Sequence, residues 1–374
     1  MNGWTLRCTL RSIALLFLPF LLHAQDSRFN LQLAMDSQSA ERTIELYRGL
    51  GSPTQISSLR GSQLALATTA ALSRRPLTAA TLEEQLQAVK FGQTTGDDVF
   101  QLKGAHATAA EMDELLREMK TRNFSRRVVS TVEQLFPAGT SIAVSVPMYV
   151  VAFGHQNIDA YVNRVVWRGN TPSFVGEGAG QVTIVLNLAK AVHYGRDVDE
   201  RFLWTMSVVA HEVFHAAFSV YKEQSTPWRR YYAAQRTYFD QLADLSHNEG
   251  IAYYLSLIQR SRGKFQPSEV SNVQQAIGDF NNHAHELLSP TTPAQRSQRI
   301  IQESNTSGYW ENYGSITGMI IARAIDNNLG RQALTETIAD GPDDFFGKYI
   351  RLMKTVGDLP QLAPEVVRYF ERRR

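Results

Sequence analysis

The chain has 374 residues, 43% hydrophobic and 20% charged, an ordinary globular composition long enough to bury a large core. Its 38 Lys and Arg nearly balance 36 Asp and Glu, which leaves no electrostatic footprint for nucleic acid or an anionic membrane surface. The one cysteine, Cys8, excludes an intrachain disulfide, and its place near the N-terminus leaves the rest of the chain without thiolate catalysis or cysteine-ligated metal.

Residues 1–24 read as an export signal. Arg7 and Arg11 give a positive start, Ile13 to Leu22 is an apolar run, and Ala24 offers a small residue before Gln25. The run falls short of the roughly 20 apolar residues of a membrane span, and no later stretch approaches that length. Loss of Arg7 and Arg11 from the 38 basic residues leaves 36 against 36 acidic ones, a neutral mature chain. The expectation is a periplasmic or secreted protein with no stable membrane association after cleavage.

Residues 25–136 read as a helical N-terminal lobe. Leu59–Leu72, Thr81–Lys90 and Ala109–Lys120 carry Leu, Ala and Met at three-to-four spacing, and Thr108-x-x-Glu111 has the form of a capping box. After Pro137 the character changes. Thr140–Phe153 is β-branched and aromatic and predicts one or two strands around Pro147, and Val182–Leu186 predicts another. Between them Gly176-Glu177-Gly178-Ala179-Gly180 reads as a tight turn, because a strand rather than a helix follows and the dinucleotide-loop context is missing. From Asp197 onward the pattern is helical, with breaks near Pro227, Ser246, Gly263, Pro290, Gly330 and Gly341. The fold class is α+β, predominantly helical, with a small sheet beside the third section.

The chemistry lies in Val208–Ala217, which contains His211-Glu212-x-x-His215 among uncharged neighbours. Residues four apart on a helix lie one turn above each other, so two imidazoles there take adjacent corners of a zinc tetrahedron. Glu212 then stands beside the metal as a general base. Asp197-x-x-Glu200 opens this helix and Pro227 marks its end, while apolar residues around most of its circumference predict burial. Buried imidazoles and a carboxylate are costly unless something binds them, and one metal satisfies all three. A third histidine six residues after the second is excluded, because Tyr221 stands there. Glu249, in Ser246-His247-Asn248-Glu249-Gly250, is the candidate third ligand on a second helix running to about Arg260. Ser246-x-x-Glu249 also reads as a capping box, and Asp244 and Asp240 are fallback ligands.

His-Glu-x-x-His followed by Asn-Glu-Gly-x-Ala resembles the gluzincin metallopeptidases, and Tyr313 to Tyr349 resembles a bacterial family of zinc-dependent peptidases in that clan. The resemblance spans roughly residues 140–350. It implies a zincin-like catalytic domain over residues 137–360, one zinc ion on His211, His215 and Glu249, Glu212 as catalytic base, and a peptide or protein substrate. It further implies a tyrosine that stabilises the oxyanion, Tyr313 first and Tyr309 second, and an edge strand before the zinc helix, for which Val182–Leu186 is the candidate, with a plain core strand the alternative. The Gly-Ala-Met-Glu-Asn signature of aminopeptidase N-like enzymes is absent. The rival readings are a zinc hydrolase of a non-peptide amide or ester and an inactive zincin-fold binding protein. Asp244 or a backbone carbonyl is expected to orient a ligand imidazole. His247 is a candidate for lining the cleft, whereas His283 and His285 read as surface residues.

Overall fold

The computed structural model describes residues 29–93, 97–176, 179–234, 237–306 and 309–373. The expected signal therefore lies outside the described residues, as do Glu177 and Gly178 of the glycine-rich turn. The architecture is α+β and mostly helical, as the residue pattern implies, with one five-stranded mixed sheet. The strands are β1 (Phe29–Asp36), β2 (Ile142–Val151), β3 (Ala160–Arg168), β4 (Thr171–Val175) and β5 (Gln181–Asn187), in spatial order β1-β2-β5-β3-β4. β1, β2 and β5 run parallel, and β3 is antiparallel to both β5 and β4. Among the described residues no helix is long and apolar enough to cross a membrane.

Three elements depart from the pattern read in the sequence. Phe29–Asp36 is a strand rather than the start of a helical stretch: Leu31 and Leu33 are buried between exposed Asn30, Gln32 and Ala34, a period of two. Its partner is more than a hundred residues away, with Leu31 opposite Val144 and Leu33 opposite Val146. The hairpin of β3 and β4 turns at Gly169-Asn170, with Gly169 at φ 61°. A Gly-Asn pair between β-branched runs is a hairpin signal. Finally β5, the candidate edge strand, is central, paired with β2 on one side and β3 on the other. Pro147 fits inside β2 because the ladder to β5 begins only at Met148, so β2 is locally an edge there and loses no bond to β5.

The helix that carries the His-Glu-x-x-His motif, Val198–Gln224, will be called the motif helix. Asp197 Oδ1 accepts from Glu200 N at 2.9 Å, closing the expected cap. The Glu200 carboxylate in turn accepts from Arg196 N at 3.0 Å and pairs with the Arg196 guanidinium at 2.6 Å. Those hydrogen bonds to Arg196 hold the Glu200 carboxyl at about 2, below its ordinary 4.5. A carboxyl depressed in the folded state stabilises above its ordinary range and loses that effect as pH falls toward the folded value. The Tm advantage of wild type over Glu200→Gln is therefore expected to be full above about pH 5 and to close as the pH approaches 2. Thermal melts across that range check this.

Aromatic packing fixes the motif helix against the rest. Phe202 stands edge-on to Phe124 at 5.6 Å, and Phe214 and Phe218 meet Phe136, which itself packs on Phe29 of β1. The second key helix, Tyr238–Ser261, starts eight residues earlier than expected, so Ser246 lies mid-helix and the capping reading of Ser246-x-x-Glu249 falls away. Thr237 and Asp240 form its capping box instead. The buried Asp240 carboxylate also takes Arg373 and the Tyr369 hydroxyl, tying the C-terminal helix Pro364–Glu371 to this start. Elsewhere Thr108 caps nothing; its hydroxyl turns back to Ala105 O at 3.3 Å.

A third helix, Tyr313–Leu329, crosses Tyr238–Ser261 at two glycines. A Cβ on Gly250 would fall on the Gly318 backbone, and one on Gly318 would fall on Ser246 O. The backbones touch there, and Glu249 is the residue beside the crossing.

Candidate metal centre

On the motif helix, His211 and His215 lie one turn apart and aim Nε2 at each other, 3.0 Å apart, with ring planes at 80°. Glu249, from the neighbouring helix, brings Oε2 to 3.5 Å from His211 Nε2 and 3.3 Å from His215 Nε2. These three are the metal-capable cluster among the described residues. Tetrahedral zinc with bonds of about 2.0–2.1 Å has donor atoms about 3.3–3.4 Å apart. Edges of 3.0, 3.3 and 3.5 Å match that triangle, and two nitrogens with one carboxylate oxygen are a donor set zinc accepts. The residues fit the ion.

The surrounding charges act on one another. Burial by itself lowers the His215 pKa, but the Glu249 carboxylate beside it prevails and lifts it to about 9. Glu249 is held far below the usual carboxylate range: burial opposes this, and the two imidazoles outweigh it. Glu212 is pushed the other way, upward, chiefly by burial.

Asn248, one residue before the glutamate, sets the orientation of His215: Oδ1 stands 3.2 Å from Nδ1. An Nδ1–H donated to Asn248 leaves the Nε2 lone pair facing the cluster. Asp244, one of the two expected orienting groups and a fallback ligand, instead accepts from Lys222 Nζ at 2.8 Å and the Tyr232 hydroxyl at 3.0 Å. Asp240 is bound up in the helix cap. His247 is fully buried, stacked on Trp228 and within 3.2 Å of Thr337 Oγ1, so it does not line the cleft. His283 stacks on Tyr313, and His285 pairs with Glu365 at 2.9 Å on the surface.

Neither expected tyrosine reaches the cluster. Tyr313 is buried and donates to Ile300 O at 2.6 Å. Tyr309 is partly exposed, with its hydroxyl taken by Arg260 at 2.8 Å. The tyrosine at the site is Tyr253, whose ring stands edge-on to His211 at 5.2 Å and lines the cleft. Asn312 Nδ2 donates to its oxygen at 3.0 Å, which leaves the hydroxyl hydrogen for another acceptor. The signal was there: Tyr253 follows Glu249 by four residues, one turn along the same helix face.

The cluster opens into a cleft of about 1250 Å³ whose walls include His211, Glu212, Tyr253 and β3 residues Ala160–Arg164. β4 pairs with β3 only from Arg164 to Arg168. Ala160–Asn163 therefore have β5 on one side and, among the described residues, no strand on the other. Among the described residues the free edge expected of Val182–Leu186 belongs to β3 instead.

Two histidines a turn apart with a carboxylate from the adjoining helix make an HExxH-type metal site. Residues 56–357 match a family model described as putative zinc dependent peptidase (DUF5700), and the chain belongs to that family. No curated protein and no solved structure matches it.

Proposed function

We propose that this protein is an exported peptidase that holds one zinc ion on His211 Nε2, His215 Nε2 and a Glu249 carboxylate oxygen. The observation that carries the reading is the convergence of those three donors at zinc-ligand spacing on the floor of a cleft, with Glu212 beside them. Zinc, when bound, supplies Lewis acidity toward a substrate carbonyl and a water. Glu212 takes the proton from the attacking water on a carboxylate oxygen and passes it to the leaving amine nitrogen. Burial raises its affinity for that proton, which suits a group that must both accept and return it. Tyr253 lines the cleft beside His211, and its hydroxyl hydrogen, not used by the Asn312 contact, makes it the second donor to the developing oxyanion.

The unpaired edge of β3 supports a peptide as substrate over a small amide or ester. An extended chain can add to Ala160–Asn163 through main-chain hydrogen bonds, which binds peptides with little regard to side chain. An intact Glu212 beside complete ligands weighs against a binding protein without turnover. The test is incubation of the zinc-loaded protein with a quenched-fluorescent peptide library; cleavage that stops on chelation and returns with zinc supports the reading. Absence of cleavage in the face of full zinc occupancy contradicts it.

Asn248→Ala should lower zinc affinity by about 10- to 100-fold, the usual cost of losing a partner that orients a metal-bound imidazole. Competition against a chelator of known affinity measures it, and unchanged affinity removes Asn248 from the site. The export signal over residues 1–24 is checked by locating the N-terminus of the exported protein.

A further inference from the structure

A second cavity, about 520 Å³, lies further along the same two helices, toward the start of the motif helix. Trp204 of the motif helix and Arg260 of the glutamate-bearing helix both line it, and Tyr309, which takes a hydrogen bond from Arg260, stacks at 5.3 Å on Tyr253 of the cleft wall. The Arg260 guanidinium lies over the Trp204 ring at 4.5 Å and donates to Tyr309 Oη at 2.8 Å and Ser256 O at 3.2 Å. No carboxylate among the described residues pairs with it. The other charges in the cavity cancel, because Arg196 and Glu200 are bound to each other. At the opposite end of the cleft Arg164 and Lys222 are matched by Glu223 and Asp244, while Arg229 donates to Glu223 O and Thr226 Oγ1 and serves below as the control cation. Gln259, also in the lining, has both amide atoms buried and without partners.

An arginine held over an indole without a carboxylate partner, in a cavity that an unsatisfied amide also lines, suits a planar anion. We propose that Arg260 binds a carboxylate carried by the peptide substrate, either its C-terminus or an acidic side chain. Trp204 precedes His211 by seven residues, about 10 Å of helix, and an extended peptide advances about 3.3 Å per residue. The carboxylate therefore belongs roughly three residues from the scissile bond. This inference rests on the peptidase reading for the position of the peptide, and deepens it to a substrate class.

Binding and cleavage are tested separately. A mixed peptide library is made twice, with C-terminal acids and with C-terminal amides, and exposed to zinc-loaded Glu212→Gln protein; retained peptides are read by mass spectrometry. Peptides bearing the carboxylate should be enriched about ten-fold or more, as a charge-assisted contact implies. Enrichment confined to the acid library assigns the free C-terminus, and enrichment of Asp and Glu in both libraries assigns a side chain. Adding Arg260→Gln should erase the enrichment, Arg260→Lys should keep part of it, and Arg229→Gln, at the far end of the cleft, should leave it intact. Equal retention of acid and neutral peptides, retention of neither, or enrichment that follows Arg229 overturns the proposal. Carboxylate-selective binding by the variant without any cleavage by wild type would instead keep the Arg260 site and remove the peptidase assignment.

Discussion

Replacing Glu212 with Gln is expected to lower kcat toward any cleaved peptide by about 10³- to 10⁴-fold while the protein keeps its metal. The amide keeps the size of the carboxylate but cannot carry the proton from water to the leaving nitrogen. Glu212 is not among the three converging donors, so zinc content should match that of wild type. KM should change little, because the lost interaction operates on the proton in flight rather than on the bound peptide. Steady-state kinetics beside metal analysis separates the possibilities. A variant that loses its zinc would make Glu212 a ligand, and one that keeps its turnover would leave the base unassigned.

Gly318→Ala is expected to be the most damaging small substitution away from the cluster, costing about 3 kcal/mol or more of stability, at the upper end for overpacking. Its added methyl falls on Ser246 O, and that atom belongs to a helix backbone and cannot swing aside. Any relief separates the two helices beside Glu249, so zinc affinity should fall along with the denaturant midpoint. Gly278→Ala is the contrast: this glycine lies in the helix Val270–Leu288 and a Cβ there meets nothing within 4 Å. It should be neutral or stabilise by up to about 1 kcal/mol, the helix preference of Ala over Gly. Urea titrations of both proteins test the pair, and equal behaviour would refute the close-crossing account.

These two substitutions mark where the sequence is readable and where it is not. The positions of His211, Glu212 and His215 follow from helical period alone, since a four-residue step must stack two side chains. Glu249 was legible as part of Asn-Glu-Gly, but the reason for Gly250 was not, because it lies in a helix crossing with Gly318, 68 residues on. Tyr313 misled for the same kind of reason. Its hydroxyl is spent on Ile300 O, a contact that spacing does not reveal, whereas Tyr253 was accessible from its four-residue step past Glu249. Strand pairing was the least legible feature. Val182–Leu186 declares itself a strand by composition, yet whether it lies at an edge depends on β2 and β3 pairing on its two sides. The eight residues of β1 carry too short an alternation to stand out before a long helical stretch.

The central claim, a three-ligand zinc site formed by residues on two helices, is tested most directly by the zinc content of purified protein. Wild type, His211→Ala and Glu249→Ala are compared after zinc loading and desalting. The account predicts about one zinc per chain in wild type, as a single three-ligand site implies, and loss of the ion from both variants. Full occupancy in Glu249→Ala would contradict it, because the third donor would then lie elsewhere, and failure of wild type to take up zinc at all would remove the site.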